Sequence, residues 1–336
     1  DITDRKALTS QKVMFQSESL SPDFQATLRE LSLVARTDST VLLLGESGVG
    51  KDYLAKFLHE KSKRAGSPFF AVNCAALPAS LAESELFGHE RGSFTGSLSR
   101  KRGLLELAES GTLLLNEIGD LPTNLQAKLL TFLDTQTFTR VGGDKLIKVN
   151  ARILAATNRN LADEVASGNF RTDLFFRLNV FTIMVPPLRN RIEDLPLICG
   201  YLLRDLSQKF GLARIPVIKS GAMRKLAQYD WPGNIRELRN VLERALIICE
   251  HGDIAEEHII GMGNGSSSKS SKKTAGSKGI NKQVSMSNVI ADLKKSLIED
   301  ALFKSNGNVT RAAESLGLTR DSLKHQIKKN LIKRKK

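Results

Sequence analysis

Two short stretches of this 336-residue sequence carry residue types and spacings suited to phosphate chemistry. The first is Gly45-Glu46-Ser47-Gly48-Val49-Gly50-Lys51-Asp52, placed between the apolar run Val41–Leu44 and the helical pattern Tyr53–His59. Glycines at this spacing let backbone N–H groups curl around phosphate oxygens, and the following helix N-terminus adds a favourable dipole. Lys51 would neutralise the β- and γ-phosphates, while Asp52 stands where a Ser or Thr usually offers Mg²⁺ a hydroxyl. The second stretch is the apolar run Leu113-Leu114-Leu115, which ends in Asn116-Glu117. In nucleotide hydrolases a strand ending in two acidic residues places one beside Mg²⁺ and uses the next to polarise the attacking water. Glu117 is thus the candidate base. Asn116 keeps an oxygen acceptor but lacks the charge a hard cation prefers, so Mg²⁺ held there through water would be held weakly. Nucleotide binding, with Mg²⁺, is the expected chemistry.

Such residues need strands that end together beside a helix N-terminus. Short apolar runs alternating with helical stretches predict an α/β fold with a parallel sheet, its strands at Val41–Leu44, Phe69–Asn73, Thr112–Leu115, Arg152–Thr157 and Val180–Val185. The first, third and fourth are too apolar to be half-exposed, as expected of strands covered on both faces. The chain divides by pattern into a polar leader (1–14), this α/β unit (15–187) and a helical unit (188–260) broken at Gly211, Pro216 and Trp231-Pro232-Gly233. A Gly/Ser/Lys-rich flexible linker (261–284) and a small helical domain (285–336) follow.

Composition narrows the class. With 41% hydrophobic and 26% charged residues the chain reads as soluble and globular. No apolar run approaches the roughly 18 residues of a membrane helix, and no signal peptide opens the sequence. Cys74, Cys199 and Cys249 form no CxxC pair, which argues against a disulfide scaffold or zinc ribbon and for a reducing cytoplasm. Cys249, His251 and His258 lie close together but at spacing ill suited to zinc, and His89 is expected to make a structural hydrogen bond. Of the net charge of +14, most arises after residue 260, where 17 Lys and Arg face 5 Asp and Glu. Such asymmetry favours a polyanionic partner for that end.

Further stretches appear in a fixed order: Asn73-Cys74-Ala75-Ala76-Leu77, Glu83 to Glu90 (ESELFGHE), Gly92-Ser93-Phe94-Thr95-Gly96-Ser97, Arg140-Val141-Gly142-Gly143, Ala156-Thr157-Asn158-Arg159, Phe170-Arg171-Thr172-Asp173-Leu174 and Trp231 to Leu238 (WPGNIREL). With the phosphate loop, from about Phe15 to Ile260, the sequence resembles the AAA+ central domain of NtrC-type bacterial enhancer-binding proteins, the activators of sigma-54 RNA polymerase. In that family an acidic residue regularly follows the loop lysine, as Asp52 does here. The resemblance implies that Asn158 senses the γ-phosphate and that Arg236 reaches the nucleotide from a helical lid. It implies that Arg171 and Arg177 reach a neighbouring subunit's nucleotide, one as an arginine finger, and that Asn73 restrains Glu117. It also implies that residues 92–97, matching the family's GAFTGA with Ser93 and Ser97 in place of alanines, form a surface loop that contacts sigma-54. A hexameric ring is common in the family.

At the other end, Ser287–Ser305 reads as an amphipathic helix, Asn308 as the cap of a helix at about Val309–Leu316, and Thr319 to about Lys329 as a third helix. The spacing is that of a helix-turn-helix, with Thr319, Arg320, Ser322, Lys324, His325 and Lys328 available to DNA and Leu323 buried. The segment is similar to the Fis-type domain that ends many enhancer-binding proteins, in which the first helix mediates dimerisation. The resemblance thus implies an activator that binds upstream DNA and remodels the sigma-54 polymerase by ATP hydrolysis, with ATP, ADP and Mg²⁺ as its ligands. Since that family has Asp at position 116, Asn116 predicts slower hydrolysis than an Asn116→Asp chain, and leaves open a nucleotide-binding DNA regulator with impaired hydrolysis. A remodeller of some other target is a third reading. The input is expected from a domain further upstream or from a separate protein.

Overall fold

The computed structural model describes residues 19–94, 97, 99–250, 252–261, 305, 308–315, 320 and 323. It divides into two units, residues 1–267 and 268–336.

The first unit opens with helix α1 (Pro22–Ala35), capped by the Ser21 hydroxyl and carrying Pro22 at its first position. Strand β1 (Val41–Leu44) leads through the phosphate loop into α2 (Lys51–Glu60). Then come β2 (Phe69–Asn73), α3 (Ala79–Phe87), β3 (Gly88–His89), β4 (Lys101–Arg102), α4 (Leu104–Leu107) and β5 (Thr112–Asn116). The unit continues through α5 (Thr123–Thr135), β6 (Thr137–Phe138), β7 (Ile147–Lys148), β8 (Arg152–Thr157), α6 (Leu161–Ala166), α7 (Thr172–Leu178) and β9 (Thr182–Met184).

Five strands form one parallel sheet in the order β2-β5-β8-β1-β9. All five lie where sequence patterning puts them, the last as Thr182–Met184 within the expected Val180–Val185, its flanks still bonded to β1 through the Phe181 carbonyl and the Val185 N–H. Apolar side chains of successive residues enter opposite cores. Leu42, Leu113, Leu115 and Ile153 pack on one face with Phe132 and Leu129, while Val41, Leu43, Leu114 and Leu154 pack on the other with Leu31 and Leu58. The guanidinium of buried Arg152 donates to the carbonyls of Val34 and Ala35 at the negative end of α1. Burial lowers its pKa to about 10.

Helices α8 (Leu195–Phe210), α9 (Ser220–Ala227) and α10 (Asn234–Ile248) enclose a separate core around Trp231, whose indole N–H donates to the Leu226 carbonyl. Gly211 ends α8 in the left-handed conformation, as a terminating glycine does. In the second unit the Asn308 side chain accepts from the N–H groups of Thr310 and Arg311 and caps α11 (Val309–Ser315). Arg320 is helical and exposed, and Leu323 is buried. Thr319, Ser322, Lys324, His325 and Lys328, together with the expected helix Ser287–Ser305, lie outside the described residues.

Candidate nucleotide site and surface loop

The carboxyl ends of β1, β5 and β8 meet at the loop between β1 and α2, where the order of the sheet turns back on itself. A cavity of about 330 Å³ opens there between the sheet and the lid. Residues 48–54 of the loop and α2, with Asn116 and Glu117, line one side, and Tyr201, Leu202, Ile235 and Arg236 of the lid line the other. Gly48 has φ +75, and a Cβ there would lie 2.4 Å from the Gly233 carbonyl oxygen, so only glycine fits.

Lys51 is buried, its ammonium donating to the carbonyls of Gly45 (2.9 Å) and Glu46 (3.2 Å) and lying 3.9 Å from a Glu117 carboxylate oxygen. Burial pushes its pKa down, and the charges of Glu117 and Asp52 oppose that. Glu117 follows β5 in the left-handed region at φ 50. That uncommon backbone turns its carboxylate to accept from the Asn158 N–H at 3.1 Å. Asn158 thus meets the candidate base through its backbone.

Asn116 is occupied at both ends of its amide: its oxygen accepts from the Glu117 N–H (3.0 Å) and its NH₂ donates to Asp52 (2.6 Å). Burial pushes the Asp52 carboxyl up, against the lowering effect of Lys51. The strand-end amide and the Asp52 carboxyl in the first turn of α2 therefore form one hydrogen-bonded unit beside Lys51. Asn73 is aligned with Asn116 across the β2–β5 ladder, but its side chain caps the next turn by accepting from the Ala75 N–H.

Arg236 reaches back from α10 to the Ser47 hydroxyl at 2.7 Å. Arg171 and Arg177 sit at the two ends of α7 and do not line the cavity. The first pairs with Asp173, while the second pairs with Asp134 and donates to the Leu133 carbonyl. Sequence reasoning passed over Arg189, Arg191 and Asn234, all of which contact the phosphate loop. Only the position of Asn234 in the Trp-Pro-Gly turn offered a signal.

The segment from Gly92 to Ser97 is closed by its last residue. The Ser97 hydroxyl donates to the Phe94 carbonyl and accepts from the Phe94 N–H, while the Gly92 N–H donates to the Ser97 carbonyl. Phe94 is 40% exposed and rests edge-on against the His89 ring at 5.0 Å. His89 Nε2–H donates to the Ser99 carbonyl, which leaves Nδ1 to accept from Ser84. Ser93 packs under Gly142, where a Cβ would come within 2.6 Å of its own. Buried Arg140 then joins Glu90 to Glu106 beneath both loops. Thr95 and Gly96 lie outside the described residues.

Three family models match: the sigma-54 interaction domain at residues 18–184, the AAA+ ATPase lid domain at 189–276, and the bacterial regulatory protein, Fis family, at 289–329. The transcriptional regulatory protein FlbD of Caulobacter vibrioides is 40% identical over 313 residues, covering 91% of this chain and 68% of its own. The anaerobic nitric oxide reductase transcription regulator NorR of Enterobacter sp. (strain 638) is 48% identical over 241 residues, 72% of this chain and 48% of its own. The chain thus spans about half the length of that relative. NtrX from Brucella abortus in complex with ADP superposes with a TM-score of 0.69 at 30% identity, covering 98% of this chain and 72% of its own. Among the described residues no helix is long and apolar enough to cross a membrane. Sheet order, phosphate loop, lid and matched models agree: the chain belongs to the sigma-54-dependent transcriptional regulators, whose central domain is an AAA+ ATPase.

Proposed function

We propose that this chain is a cytoplasmic activator that binds upstream DNA through its Fis-type domain and spends ATP to remodel the closed complex of sigma-54 RNA polymerase. The observation that supports it best is the convergence of Lys51, Asp52, Asn116 and Glu117 at one cavity mouth shared with the lid. Lys51 neutralises the β- and γ-phosphates, and the loop N–H groups hold their oxygens. Glu117 takes a proton from water as the water oxygen attacks the γ-phosphorus and the bond to the β-phosphate oxygen breaks, releasing ADP. Mg²⁺ suits the donor set, since it is commonly held by one or two carboxylates plus substrate phosphates. Asp52 would hold it, with Asn116 acting through water, and it would supply charge to the β- and γ-phosphate oxygens.

Arg171 and Arg177 would complete a neighbour's site in a ring, commonly a hexamer in the family, while the Fis-type domains pair as dimers on DNA. Phe94 is the group offered to sigma-54. The test is retention of purified sigma-54 by the chain with ADP and aluminium fluoride. Phe94→Ala is expected to weaken the complex at least about tenfold, as loss of an aromatic anchor does. A complex indifferent to Phe94, or none with the mimic, would contradict the reading.

Asn116→Asp would place a second carboxylate against Asp52, where now an amide donates. Two facing carboxylates demand a cation, so Mg²⁺ affinity and ATP turnover are expected to rise, turnover by roughly tenfold. Equal phosphate-release rates in the two forms would show that Asp52 already supplies the needed charge. A nucleotide-binding regulator without hydrolysis is the alternative reading, and phosphate release from the unaltered chain under saturating ATP separates the two.

A further inference from the structure

Four consecutive residues of the phosphate loop are held from the lid side. Arg189 clasps the Glu46 carboxylate through its two terminal guanidinium nitrogens at 2.9 and 2.5 Å. Asn234 donates to that carboxylate at 3.0 Å and to the Ser47 carbonyl at 3.2 Å. The Ile235 N–H donates to the Gly48 carbonyl at 3.0 Å, and buried Arg191 donates to the Val49 carbonyl at 2.8 Å while lying over the Phe24 ring. Asn234 also accepts from the Leu188 N–H at 2.8 Å, in the segment that joins the sheet unit to the lid. Its side chain is fully buried, and its backbone is left-handed at φ 52.

The consequence follows from the shape of the peptide unit. In a planar trans amide the carbonyl of one residue and the N–H of the next point in opposite directions. Donors fixed on the carbonyls of Ser47, Gly48 and Val49 therefore set the directions of the N–H groups of Gly48, Val49 and Gly50. Those are the groups a phosphate loop offers to its anion, and here the Val49 N–H also donates to the Glu46 carbonyl at 3.4 Å. We infer that the lid presets this phosphate nest, and that Asn234 is the positioning residue through which it does so, tying the nest, the hinge segment and the first turn of α10 into one body. The inference rests on the nucleotide reading above and adds a task for the lid that does not involve Arg236. It also gives the loop carboxylate a role: Glu46, held at a pKa of about 2 by Arg189 and then by Asn234, is a permanent anchor for the lid.

The test is titration of the full chain with fluorescent mant-ADP. Asn234→Asp keeps the size of the side chain and the acceptor for Leu188, but turns an oxygen towards Glu46 and Ser47 in place of a donor. It is expected to weaken ADP binding by about tenfold, and to raise KM for ATP while kcat changes by less than about threefold. Adding Glu46→Gln returns a donor to the pairing of residues 46 and 234 but leaves the Ser47 carbonyl facing an oxygen, so the double variant is expected to bind about threefold tighter than Asn234→Asp and still weaker than the unaltered chain. Glu46→Ala at a 40% exposed side chain guards against misfolding of the buried variants and is expected to weaken ADP by about fivefold. Unchanged affinity in Asn234→Asp or Glu46→Ala, or a double variant weaker than Asn234→Asp, would overturn the proposal. If the unaltered chain itself fails to bind mant-ADP, the nucleotide reading fails first; if it binds and Asn234→Asp binds equally, only the positioning role fails.

Discussion

Replacing Glu117 by glutamine is expected to lower ATP hydrolysis by about a hundred- to ten-thousand-fold while leaving ATP bound, as removal of a general base does. The side-chain oxygen of glutamine can still accept from the Asn158 N–H, so the geometry at the end of β5 survives and only proton transfer is lost. Phosphate release and mant-ATP titration, measured on the same preparation, check the two halves of this expectation. A glutamine variant that keeps a third of the rate would move the base elsewhere.

The second large effect is expected at Lys51. Its ammonium is buried, lies 3.9 Å from Glu117 and shares the cavity with Asp52. Lys51→Ala leaves both carboxylates facing the incoming phosphates without their nearest cation. Loss of one partner from a buried charge set costs several kcal/mol, so ADP affinity is expected to fall by about a hundredfold or more. Lys51→Arg should not rescue it, because the longer, planar group does not fit a point-charge site framed by the Gly45 and Glu46 carbonyls. Affinity within about threefold of the unaltered chain would contradict phosphate binding at this loop.

The parts of this architecture that rest on local chemistry could be read from the sequence. The buried strands β1, β5 and β8 are continuous apolar runs, and the loop after β1 is marked by glycines whose spacing has a steric cause. The cap at Asn308 and the stop at Gly211 are equally local. Pairs of two-residue strands such as β3–β4 and β6–β7 left no trace, because two residues cannot display a period. The clasp of Glu46 by Arg189 and Asn234 was hidden for another reason: its partners lie 143 and 188 positions away. No spacing rule connects residues at that distance. Asn116 was legible as a departure from two acidic residues, but its hydrogen bond to Asp52 was not, since that contact depends on how the end of β5 faces the first turn of α2. Likewise Ser97 could be read as a replacement of alanine, whereas its closure of the Phe94 turn depends on how the backbone of that segment folds back on itself.

In the proposed function, hydrolysis at the Lys51–Glu117 site is the source of the work done on sigma-54 polymerase. Its most direct test is promoter opening by purified sigma-54 polymerase on a template carrying the upstream site, with this chain and either ATP or a non-hydrolysable analogue. Open complexes are expected with ATP alone, and to vanish with Glu117→Gln under the same conditions. Opening supported equally by the analogue, or by the glutamine variant, would contradict it.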